Sequence, residues 1–124
     1  MSQVLSIAAG GAAGALMRYW VSNGVYALAG RGFPYGTLAV NVLGSLVMGL
    51  LFTLFLERMS VSPEMRGALL IGFLGAFTTF STFSIETLNL IEQAEYLKAV
   101  LNMLLSVSAC VAACWVGLII GRQL

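Results

Sequence analysis

Long apolar runs alternate with short polar breaks along this chain, and the runs set the architecture. A helix needs about 20 apolar residues to cross the hydrocarbon core of a bilayer. Four stretches meet that length: Val4 to Leu28, Thr37 to Leu56, Gly67 to Ile91 and Ala99 to Ile120. The breaks between them are brief. Residues 29–36 read AGRGFPYG, with Gly and Pro punctuation, 57–64 read ERMSVSPE, and 92–98 read EQAEYLK. The pattern predicts an all-α membrane protein of four transmembrane helices, with residues 1–124 forming a single domain.

Polar positions inside such runs are costly and therefore informative. In the second span Thr37, Asn41 and Ser45 recur every four residues on one helical face. Asn41 reads either as packing glue to a neighbouring helix or as the amide of a polar pathway that Thr37 continues. The fourth span carries Asn102, Ser106 and Cys110 at the same interval. The third span is the unusual one: residues 77–84 read FTTFSTFS, and Glu86 follows. At about 100° per residue, Phe77, Phe80 and Phe83 share one arc. Thr78, Thr79, Ser81, Thr82 and Glu86 spread over the neighbouring arc, and Ser84 falls among the rings. Little of that helix suits lipid, so it is expected inside the protein. Gly72, Gly75, Thr78 and Thr79 are poor helix formers, which predicts an interruption near Gly75–Thr79. Unwound backbone at membrane depth is tolerated only inside protein or beside a polar cavity, and its freed carbonyls can hold a cation. The alternative is an unbroken helix flexed at glycine.

Composition narrows the function classes. The chain is 60% hydrophobic and 9% charged, against about 25% charged in a soluble domain. Six basic residues face five acidic ones, a balance that offers no argument for a nucleic-acid partner. There is no His, which removes the usual near-neutral proton relay. No nucleophile–base pair, nucleotide-binding loop or metal-ligand cluster is present, so no enzyme is expected. Cys110 and Cys114 lie four apart on one face, poorly placed for a disulfide, and read as packing residues. The first charge is Arg18, so the first run reads as a retained span and not as a signal peptide.

The loop charges bear on assembly. Arg58, Arg66 and Arg122 stand against Arg18, Arg31 and Lys98, three on each side of the membrane, and orientation follows such bias. With none, copies are expected to insert both ways round, and the simplest closed assembly is then an antiparallel two-fold dimer. The small-residue pairs Gly10 and Gly14, Ser45 and Gly49, and Gly117 and Gly121 fit a compact oligomer.

Which ion such a lining suits is a question of donors. Hydroxyls donate or accept and do not decide. The Asn41 amide offers donors, ring edges carry partial positive charge, and Arg18 is placed to give a positive vestibule. Glu86 is the only acid well inside a span. The set leans towards a small anion. Two other readings share the length and span count. A small exporter of lipophilic cations needs a membrane-embedded carboxylate, which the first span lacks, and a non-transporting subunit would use its polar stripes only to bind partner helices.

Two stretches go beyond pattern. GTLAVN at 36–41 and GAFTTFSTFSIE at 75–86, with GGAAGALMRYW around Arg18, resemble the CrcB/Fluc family of fluoride channels. The resemblance covers essentially the whole chain. It implies an antiparallel, dual-topology homodimer, multi-pass in the bacterial inner membrane, with two pores through which fluoride leaves passively and its toxicity falls. It also implies a central structural sodium ion held by the backbone carbonyls of Gly75 and Thr78 from both subunits. Phe80 and Phe83 would be the rings facing fluoride and Asn41 the pore amide. Ser81, Thr82 and Ser84 would belong to the polar track, Glu86 near its end, and Ser106 would line it from the fourth helix. Cys110 stands where Ser is more typical, Asn102 stands where the family varies, and Phe77 has no implied role beyond packing.

Overall fold

The computed structural model describes residues 1–124 and contains helices and no strand. Helix α1 is Ser2–Ala29. Helix α2 is Tyr35–Thr53, prolonged by a π-wound turn at Leu54–Arg58. Helix α3 covers 63–77 as an α turn, Pro63–Arg66, a π-wound stretch, Gly67–Leu74, and a last turn, Gly75–Phe77. Helix α4 is Phe80–Glu92 and α5 is Tyr96–Gln123. Since α3 and α4 share the stretch Pro63–Glu92, four segments are long and apolar enough to cross a membrane. Each extends a little beyond the apolar run that announced it. The ends are set locally. Gly30, at φ +84°, closes α1 by donating its N–H to the Tyr26 carbonyl at 2.8 Å. Ser62 caps α3, its Oγ accepting from the Met65 N–H at 3.1 Å, with Pro63 in the first turn.

Helix α2 runs along α5, and α1 runs along α3. Both seams bring backbone against backbone. A methyl at Gly14 would collide with the Phe73 carbonyl, and one at Gly117 with the Leu46 carbonyl. Gly10 and Gly49 stand in the same position against Ala68 and Cys114. The small-residue pairs expected to serve an oligomer are therefore largely consumed within the chain. Their value is close helix approach, and the nearest helix to approach is one of the chain's own.

Between α3 and α4 the backbone leaves the helical region for two residues. Thr78 has ψ 156° and Thr79 has φ −150° and ψ 118°, so the interruption falls inside the predicted window. It overturns the single arc of three phenylalanines. Phe77 is buried and stacks on Phe73, with centroids 6.0 Å apart and planes at 7°. Phe80, 77% exposed, pairs with Phe83 at 5.3 Å and 44°. A constant 100° step cannot be carried across the extended Thr78 and Thr79 that separate Phe77 from Phe80.

The expectation that this helix lies in the interior is also corrected for the single chain. Helix α4 touches α5 and, more lightly, α2, and it leaves Phe80, Ser81, Ser84, Ile85 and Leu88 exposed. Rings and hydroxyls alike face outward along that edge.

Candidate site at the helix break

A broken helix must find new partners for its freed backbone groups. The Thr79 N–H, which would close a helical bond to Gly75, donates instead to Asn41 Oδ1 at 2.7 Å. Asn41 Nδ2 returns a bond to the Thr79 carbonyl at 3.0 Å. One side-chain amide thus clamps both polar groups of the extended residue, as a paired strand would. The Thr82 N–H, which would have reached the Thr78 carbonyl, donates to Thr79 Oγ1 at 3.2 Å, so Thr79 caps α4. The Thr78 hydroxyl folds back onto the Leu74 carbonyl at 2.9 Å. Gly44 on α2 leaves the space for this, since a Cβ there would strike the Thr78 methyl. On the other side, Arg18 Nε donates to the Ala76 carbonyl at 2.9 Å. A fixed positive charge therefore sits against the negative end of α3, at the break itself and half-buried.

The break opens onto a cavity of about 400 Å³ between α2, α4 and α5. Asn41, Ser45, Thr78, Phe80, Phe83, Ser106 and Cys110 line it. Of the predicted residues, Asn41, Phe80, Phe83 and Ser106 are therefore brought together. On α5, Ser106 donates to Asn102 Oδ1 at 3.4 Å, and Asn102 Nδ2 donates to Thr87 Oγ1 at 2.8 Å. Thr87 in turn donates to the Phe83 carbonyl at 2.7 Å. This buried chain fixes the ring-bearing turn of α4 to α5.

Other predicted residues lie elsewhere. The hydroxyls of Ser81 and Ser84 are exposed on the outer edge of α4, and Ser84 donates to its own helix at the Phe80 carbonyl, 2.9 Å away. Thr82 accepts from Thr79 Oγ1 at 3.0 Å. Gly75 precedes the break in the last turn of α3. Thr37 and Glu86 meet at a second place, where the Tyr26 hydroxyl donates to Glu86 Oε2 at 2.8 Å and lies 3.4 Å from Thr37 Oγ1.

A family model described as CrcB-like protein, Camphor Resistance (CrcB), matches residues 5–118. The chain belongs to the CrcB family. Among curated relatives, one from Magnetococcus marinus, named fluoride-specific ion channel FluC, is 56% identical over 120 residues, 97% of this chain and 98% of its own. One of the same name from Coxiella burnetii is 57% identical over 122 residues, 98% of each chain. A third, from Methylococcus capsulatus, is 57% identical over 121 residues, 98% of this chain. This CrcB chain spans only about half of that relative's length, 53%. All three are named as channels, a class that is not enzymatic, so the CrcB chain is a multi-pass membrane protein and not an enzyme.

Two members of the hydrogen-bonded frame of this CrcB chain carried no sequence signal. Tyr26 stands near the end of an apolar span, where a tyrosine is an ordinary interface residue. Thr87 lies beyond the hydroxyl-rich stretch and is picked out only by the helix opposite.

Proposed function

We propose that two copies of this chain form a fluoride-selective channel that lets fluoride leave the cytoplasm passively and so lowers its toxicity. The observation that carries the reading is the break at Thr78–Thr79 beside the Phe80–Phe83 ring pair. There α4 begins, and a helix start carries partial positive charge and unpaired N–H groups. Ring edges and the second hydrogen of the Asn41 amide add weakly positive contacts in the same cavity. Fluoride is small and tightly hydrated, so a dry apolar hole would exclude it, whereas close-set donors can replace its water. The names of the relatives support the same anion.

The assembly follows from the uncovered edge of α4. Polar and aromatic groups there suit neither lipid nor bulk water, and a second copy placed against them would bring the break to membrane depth inside protein, as unwound backbone requires. The even split of basic residues supports antiparallel insertion in the bacterial inner membrane, giving two pores related by two-fold symmetry. Gly75 and Thr78 fit a structural sodium ion, because the amides that would have claimed their carbonyls are diverted to Asn41 and to Thr79. Those carbonyls from both subunits would hold it, and it would supply fixed positive charge between the pores.

Release of fluoride from liposomes containing the pure protein tests the proposal. Rapid flux without a coupled ion is expected. Proton-driven uptake of a lipophilic cation would replace the channel with an exporter, and silence would replace it with a partner-binding subunit.

A further inference from the structure

The mechanism proposed for the break leaves one ionisable group of α4 without a task. Glu86 lies one turn beyond Phe83, and its Oε2 accepts a single hydrogen bond, from the Tyr26 hydroxyl at 2.8 Å. Its Oε1 is buried without a partner. The carboxylate borders a polar cavity of about 310 Å³ whose charged lining is Arg31, Glu95 and Lys98. None of these bonds to Glu86. The Lys98 ammonium donates to the Gly32 carbonyl at 3.0 Å and lies 3.9 Å from Glu95. The Arg31 guanidinium lies over the Tyr26 ring, 4.5 Å from its centroid. Tyr26 is itself firmly placed, because its ring fills the space where a side chain at Gly36 would stand, and its hydroxyl also meets Thr37.

We infer that Tyr26 is a positioning residue: its hydroxyl holds the Glu86 carboxylate at the mouth, away from the ring-lined anion path, and so sets the flux. The inference rests on the channel reading. A carboxylate released from this bond stands one turn from Phe83, and an ionised one there repels a passing anion. Loss of Tyr26 therefore lowers flux. Tyr26 from α1 bonds Glu86, and Arg31 from the α1–α2 turn, with Glu95 and Lys98 at the start of α5, line the same cavity.

Wild type, Y26F, E86Q and the double variant are compared for fluoride flux in liposomes. A hydrogen bond to a charged group carries a factor of roughly ten to a hundred. Y26F is accordingly expected to lower flux roughly tenfold, and to have no such effect in the E86Q background. An equal loss in both backgrounds would mean that Tyr26 acts through packing alone, and would overturn the inference, as would unchanged flux in Y26F. Infrared spectroscopy supplies a readout independent of flux. The carboxylate stretching band that disappears in E86Q should shift in frequency in Y26F, because it loses the phenol donor, and an unmoved band overturns the hold of Tyr26 on Glu86. Wild-type protein that carries no fluoride refutes the channel reading instead, and the infrared band position then decides the Tyr26–Glu86 bond by itself.

Discussion

Replacing Asn41 by alanine removes both hydrogen bonds that hold Thr79 in its extended conformation, at 2.7 and 3.0 Å. The Thr79 N–H and carbonyl are then left partly buried without partners. Each such group costs about 1–3 kcal/mol, so the break loses about 2–6 kcal/mol, a large share of the roughly 5–15 kcal/mol that holds a folded domain. Thermal denaturation in detergent should therefore shift down markedly, and fluoride flux should be lost with it. Asn41→Asp separates the two roles of the side chain. It keeps an oxygen for the Thr79 N–H, loses the donor to the Thr79 carbonyl, and sets a negative charge beside the proposed path. Stability is expected to fall by less than in the alanine variant, while anion flux is still blocked. An unchanged melting temperature in Asn41→Ala would refute the clamp, and retained flux in Asn41→Asp would refute Asn41 as a pore liner.

The ring pair and the helix seams give further tests. Phe80→Ile and Phe83→Ile keep apolar bulk and lose the ring edge; each is expected to lower flux roughly tenfold, about 1.4 kcal/mol of lost interaction, with the proposed dimer eluting on size exclusion as in wild type. Wild-type flux in both would remove the rings from the path. Gly117→Ala drives a methyl into the Leu46 carbonyl, so α2 and α5 must separate at a cost of about 1–3 kcal/mol. The control is Gly24→Ala, where a Cβ meets nothing; that variant should melt at or above the wild-type temperature because alanine favours helix by up to ~1 kcal/mol.

The sequence by itself determined the four membrane-capable helices, because a bilayer imposes a minimum apolar length that any reader can count. It determined the place of the break as well: Gly72, Gly75 and the paired threonines are local properties of the chain, and helix propensity is a local quantity. Helical spacing showed a polar face with Asn41, a ring arc with Phe80 and Phe83 and a stripe with Ser106, but their meeting at one cavity was expected only from the resemblance to the CrcB/Fluc family. The direction of each side chain was not legible. Phe77 and Phe80 are three residues apart, yet one is buried against Phe73 and the other points outward, because two extended residues reset the helical phase between them. The glycine seams were visible as patterns, but a pattern of small residues does not say which helix will use it. Tyr26 and Glu86 are 60 residues apart, and so are invisible to any windowed reading. Only the tertiary structure decided those pairings, since a hydrogen bond across helices depends on how whole segments cross and not on which residues are neighbours in the chain.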